Sequence, residues 1–138
     1  MVKNNIRKSL LEQGLTLSEK FILSSNNQIQ EKFLEYLSTV EFKKILLYSP
    51  YKNEIKLDLV LKKLNEMQKE IFIPKVFPNN ELKFNLLESC NKLIKNKYNI
   101  LESQSNLFVK ANMINVLVVP FLGIDVIGKR LGYGGGYY

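Results

Sequence analysis

Three stretches of the chain space their apolar residues as helices do. Between Val2 and Leu11, Ile6, Leu10 and Leu11 fit a short helix that sets Lys3 and Arg7 one turn apart on one side. Thr16 followed by Glu19 has the form of a capping box, and Ile22, Ser25, Ile29, Phe33 and Tyr36 recur after it, predicting a longer helix over Glu19 to Leu37. Leu57, Val60, Leu61, Leu64 and Met67 predict a third helix.

Short apolar runs punctuate these helices. Ile45 to Tyr48 is a buried-strand pattern closed by Ser49, Pro50, Tyr51, Lys52 and Asn53, and Ile71 to Pro74 is another, so residues 45 to 74 read as a β-α-β unit with parallel strands. Leu82 to Leu86 alternates apolar and polar residues and suits an added strand, whereas Asn91 to Asn106 is polar and irregular and is expected to be mostly loop. Val116 to Val119, with no polar residue to face solvent and Pro120 to stop it, is expected at the centre of the sheet. The implied fold is α/β.

Length and composition sharpen this picture. With 138 residues, 46% apolar and 24% charged, the chain suits one domain with its own core. The 20 Lys and Arg against 13 Asp and Glu leave a net charge of +7, which attracts polyanions in general, but the basic residues are mostly Lys interspersed with Asn and Glu and form no basic tract. The sole cysteine, Cys90, excludes an internal disulfide and a multi-cysteine metal site, and is expected to be inert. With no histidine, any chemistry must run on carboxylates, Lys, Arg, Tyr and backbone amides. No signal-peptide pattern opens the sequence, and the most apolar segment, Met113 to Ile127, is interrupted by Asn115, Pro120 and Asp125 and falls short of a membrane span, so a cytoplasmic protein is expected.

Six of the seven glycines lie from Gly123 onward, most within Gly128-Lys129-Arg130-Leu131-Gly132-Tyr133-Gly134-Gly135-Gly136-Tyr137-Tyr138. Glycines let backbone amides approach an anion without a Cβ in the way, and Arg130 adds a forked cation suited to phosphate oxygens. Glycine richness alone would equally describe a flexible tail. The surrounding residues are more particular, and they fit neither the Walker pattern nor the dinucleotide-binding one. Asp125, just ahead of them, could cap the turn after the strand or approach a metal.

The segment Pro120 to Tyr138 resembles the C-terminal signature of 5-formyltetrahydrofolate cyclo-ligases, also called methenyltetrahydrofolate synthetases. The likeness extends to Lys3 and Arg7 on an N-terminal helix and to a strand-turn-Glu element, here Ile45 to Glu54, and is weak between about Phe77 and Asn112. It implies a three-layer α/β/α fold with a mostly parallel sheet. It also implies a ligase that uses ATP and magnesium to close 5-formyltetrahydrofolate to 5,10-methenyltetrahydrofolate. Carried over position by position, Lys3, Arg7, Arg130, Leu131, Gly132, Tyr133, Gly134, Gly135, Gly136, Tyr137 and Tyr138 would hold ATP, while Ser49, Glu54, Tyr133 and Tyr137 would contact the folate. Arg130 and Tyr137 would act in the reaction itself. The implied partners are small molecules, with no nucleic acid or membrane, and the implied state is a monomer.

The family's motif continues beyond the two tyrosines with an Asp that binds magnesium, whereas the sequence stops at Tyr138, so the resemblance implies no metal ligand within it, the C-terminal elements missing, and nucleotide binding without efficient turnover. Gly123 and Ile124 stand where the family usually has Ala and Phe, and Ser103 where a Pro is common. The competing reading within the same fold is a catalytically inactive nucleotide- or folate-binding module. A small basic nucleic-acid-binding protein rests on charge alone.

Overall fold

The computed structural model describes residues 1–78, 81–88, 93–97, 100–105 and 107–133. Helices α1 (Val2–Leu15) and α2 (Glu19–Leu37) come first, followed by strand β1 (Lys44–Leu46), helix α3 (Asp58–Glu66), and strands β2 (Glu70–Val76) and β3 (Leu82–Leu86). Strands β4 (Leu93–Lys95), β5 (Leu101–Ser103), β6 (Phe108–Val109), β7 (Val116–Leu117), β8 (Gly123–Ile124) and β9 (Arg130–Leu131) complete the order, with a short 3₁₀ turn at Ala111–Met113.

The main sheet runs β6-β3-β2-β1-β7. Its parallel part is β2-β1-β7, in register Ile45 with Ile71 and with Val116; β3 and β6 extend it antiparallel. The β-α-β unit read from residues 45 to 74 is therefore present, with α3 as its crossover, and the α/β expectation holds. One face of the sheet buries Ile45, Leu47 and Ile71 under Leu37 of α2 and Val60 and Leu64 of α3. The other face carries a smaller cluster of Leu46, Phe72 and Ile114. An ion pair, Lys44 Nζ to Glu70 Oε2 at 2.8 Å, joins the first residues of β1 and β2.

Three expectations need correction. Val116–Leu117 lies at an edge of the described sheet, and Leu117 is 49% exposed. An unbroken apolar run reports that both faces of a strand meet apolar groups and is silent on lateral neighbours; here Val116 and Val118 pack on the core while Leu117 points away from it. Residues 91 to 106, expected as loop, contain the β4–β5 hairpin, whose strands of three residues are too short to show a period. It is seamed to the sheet by side chains: Ser103 Oγ donates to Leu86 O at 2.7 Å, Asn85 Nδ2 to Ser105 O at 2.7 Å, and Val76 N to the buried Glu102 Oε2 at 2.9 Å.

The third correction concerns α2. Its N-cap is Ser18, whose Oγ accepts from Phe21 N at 3.1 Å, while Thr16 closes α1 by donating to Gln13 O. Its buried positions are Asn26, Gln30 and Leu37; of the predicted stripe, Phe33 packs on the core and Ile22 and Ser25 are partly buried, while Ile29 and Tyr36 stay exposed. The reason is polar. Gln30 Oε1 accepts from Leu59 N and Val60 N, its Nε2 donates to Asp58 Oδ1, and Asn26 Oδ1 accepts from Lys56 N. The N-cap residue of α3, Leu57, makes no side-chain cap, so α2 supplies the acceptors that the first amides of α3 lack.

Candidate active site

The parallel strands β1 and β2 end together, and the segment after β1 turns sharply there. Tyr51 N donates to Glu54 Oε2 at 2.8 Å and Glu54 N donates back to Tyr51 O at 3.1 Å, which closes the turn on itself. Lys52 sits inside it at φ 53, a left-handed conformation unusual for a residue with a Cβ. Burial lifts the Glu54 carboxyl above its ordinary range; the Tyr51 amide and the charge of Lys56 act the other way and do not cancel it. Ser49, at the start of the turn, donates to Leu101 O at 2.8 Å and so holds the β4–β5 hairpin over the strand ends. A mostly apolar cleft of about 500 Å³ opens beside it, between Leu23 and Asn26 of α2, Lys56 and Leu61 near α3, and Leu93 and Leu101 of the hairpin.

The β8–β9 hairpin packs against helix α1. Asp125 caps its turn: Oδ1 accepts from Ile127 N at 3.0 Å and Lys129 N at 2.8 Å, and Gly128 takes φ +82 in the same turn. Of the two readings left open for Asp125, turn capping is the one its hydrogen bonds display. Helix α1 touches both this hairpin and the turn after β1. Leu10 packs on Gly123 so closely that a Cβ there would lie 2.9 Å from its Cδ1, and Gly14 lies near Asn53. A glycine at 123, where an alanine is usual, is matched to this helix contact.

Arg7 Nε donates to Gly132 O at 2.9 Å and its Nη1 donates to Asn4 Oδ1 at 2.7 Å, so the N-terminal helix holds the beginning of the glycine-rich segment. Lys3, one turn away, is exposed. Arg130 is exposed on β9 and folds back over Gly132, where an added Cβ would stand 3.4 Å from its Nη1. The Tyr133 hydroxyl is pushed up by burial and, secondarily, by the negative charge of Glu54, which places the two groups within electrostatic reach. The turn after β1, the N-terminal helix and the start of the glycine-rich segment thus meet at one place. Gly134, Gly135, Gly136, Tyr137 and Tyr138, as well as Cys90, lie outside the described residues.

A profile of the 5-formyltetrahydrofolate cyclo-ligase family matches residues 1–138, the whole chain. The chain belongs to this family. The cyclo-ligase of Mycoplasma pneumoniae is 29% identical over 140 residues, covering 100% of this chain and 75% of that protein, and the one from Mycoplasma genitalium is 28% identical over 99% and 73%. Among solved structures, a 5,10-methenyltetrahydrofolate synthetase from Mycoplasma pneumoniae superposes with a TM-score of 0.80 at 28% identity over 100% of this chain and 75% of the other. The NMR structure of the Aquifex aeolicus 5,10-methenyltetrahydrofolate synthetase gives 0.80 at 30% identity over 100% and 70%. The cyclo-ligases are ligases, and the mixed α/β architecture described above is theirs.

The residues that sequence reasoning missed are those of the cleft and its supports, Asn26, Gln30, Lys56 and Leu101. They carry no motif, and only the topology brings them beside Ser49. No group of three or more acidic or cysteine side chains able to hold a metal is present among the described residues.

Proposed function

We propose that this protein converts 5-formyltetrahydrofolate to 5,10-methenyltetrahydrofolate at the expense of ATP, in the cytoplasm, as part of one-carbon metabolism. The γ-phosphoryl group passes to the formyl oxygen and ADP leaves; the neighbouring folate nitrogen then attacks the activated carbon, and phosphate departs with the oxygen as the ring closes. Magnesium would neutralise charge on the nucleotide. No described residue is assigned to it.

Phosphoryl transfer asks a protein mainly for positioning and charge stabilisation, so a chain without histidine can support it. Arg130 and the backbone amides of the segment it begins would contact the phosphates, and Lys3 lies one helical turn from Arg7. Arg7 spends two donors on Gly132 O and Asn4, so its part is to hold the loop at least as much as to touch nucleotide. Glu54, half-buried in the turn after β1, would hydrogen-bond a polar edge of the folate, with Tyr133 beside it. Ser49 and the apolar cleft stand next to that edge.

The observation that carries this reading is the bond from Arg7 Nε to Gly132 O, which ties the N-terminal helix to the start of the glycine-rich segment, in a chain that matches the family over its full length. The methenyl product absorbs in the ultraviolet and can be followed continuously with ATP and magnesium present. Glu54→Ala should raise KM for 5-formyltetrahydrofolate at least tenfold while leaving KM for ATP within about twofold, as loss of a hydrogen-bond partner of the folate alone predicts. An unchanged folate KM would remove Glu54 from the folate site.

A further inference from the structure

On the other side of β1 from β7, the sheet carries two lysines in an arrangement that the cyclo-ligase reading does not use. Lys75 of β2 and Lys83 of β3 are directly opposite one another in the antiparallel pair. Residues so paired point to one face with their Cβ atoms about 5 Å apart, and like charges there repel. Both side chains nevertheless lie against the same aromatic pair. Lys75 Nζ lies 5.5 Å from the centroid of Phe77, and Lys83 Nζ lies 4.7 Å from that same ring and 5.1 Å from Phe108. The rings themselves meet edge to face at 5.9 Å.

Both lysines are half-buried, and neither has an ion-pair partner among the described residues. Glu102, whose carboxylate reaches the neighbouring Val76, gives Oε2 to the Val76 amide. The aromatic faces hold the ammonium groups in place but leave their outward N–H donors unused. Because ammonium groups already cover these faces, nucleobase stacking on them is disfavoured. Among the described residues, no carboxylate pairs with either ammonium group.

We propose that Lys75 and Lys83 form an anion site, distinct from the glycine-rich segment, for a ligand bearing two or more closely spaced negative charges on phosphate or carboxylate oxygens. Such a ligand relieves the repulsion between the paired lysines and accepts a charge-assisted hydrogen bond from each. Half-burial screens these charges less than fully exposed lysines are screened. The site stands at the carboxyl end of β2, the same end of the parallel strands as Ser49 and Glu54, so its ligand is either a free oligophosphate or the acidic end of a molecule seated in the neighbouring cleft.

The test is a side-chain NMR titration of the labelled protein with inorganic diphosphate and, separately, with citrate. The Lys75 and Lys83 side-chain signals and the Phe77 ring should move saturably, Lys83→Gln should weaken the response at least tenfold, and the double variant with Lys75→Gln should abolish it without altering the melting curve. Response to diphosphate alone assigns the site to phosphate chemistry; response to citrate alone assigns it to carboxylates; response to both makes charge the selecting feature. The proposal is overturned if neither anion saturates these signals. It is equally overturned if exposed helical lysines such as Lys20, Lys32 and Lys62 respond in the same way, or if the Phe77 ring still responds in the double variant.

Discussion

Glu54 shows how one side chain carries both structure and chemistry. Its folded-state pKa is raised above the ordinary value of 4.5 by burial, so the folded protein holds a proton that the unfolded chain has already released. The sign follows directly: its contribution favours the folded state most at pH below 4.5, declines as pH rises through the interval between the unfolded and folded pKa, and is flat above it. A melting-temperature series against pH should show this decline, and Glu54→Gln should remove that component; a variant with an unchanged profile would mean that the carboxyl is solvated in the folded state. Gln30 is a second such residue. It is 1% exposed and gives three hydrogen bonds to the start of α3, so Gln30→Ala should cost roughly 1–3 kcal/mol in urea unfolding, the range for leaving buried donors unsatisfied. A loss below about 0.5 kcal/mol, as expected for a surface position, would contradict its capping role.

At the level of elements, α1 differs from the other helices because none of its residues is buried. It is held by the Arg7 bond to Gly132, the Leu10 contact with Gly123 and the approach of Gly14 to Asn53. Few buried contacts imply low local stability, so the α1 amides should exchange with solvent well before those of β1 and β2. Arg7→Ala should accelerate exchange in α1 and at Gly132 while leaving β1 and β2 unchanged, as read by native-state hydrogen exchange. Equal acceleration in the core strands would show that α1 unfolds only with the whole sheet. The turn after β1 behaves differently. It is closed by Glu54 and Tyr51 upon each other, so it owes its shape to local bonds and should survive the loss of Arg7.

Across the whole molecule, the parts legible in the sequence are those governed by burial period or by a local motif. The β-α-β unit from Ile45 to Pro74 follows from its apolar runs and crossover helix. Properties set by distant partners were not legible. The inward face of α2 is decided by amides of α3 thirty residues away, and a polar Gln30 outranks Ile29 there because a capped helix start gains more than one further apolar contact. The edge position of Val116–Leu117 is a matter of sheet order, which no property of the strand itself encodes. Likewise, the bond from Arg7 to Gly132, 125 positions apart in the sequence, exists only once α1 has packed against the hairpin.

The central claim is that this junction binds a nucleotide through Arg130 beside a folate site at Glu54, and calorimetry of ATP binding in the presence of 5-formyltetrahydrofolate tests it most directly. Replacing Arg130 with Ala removes a charge-assisted contact worth about 1.5–3 kcal/mol, so ATP affinity should fall by roughly 10- to 150-fold with the fold intact by circular dichroism. An Arg130→Ala variant that binds ATP as tightly as the parent would contradict the assignment of the glycine-rich segment to phosphate.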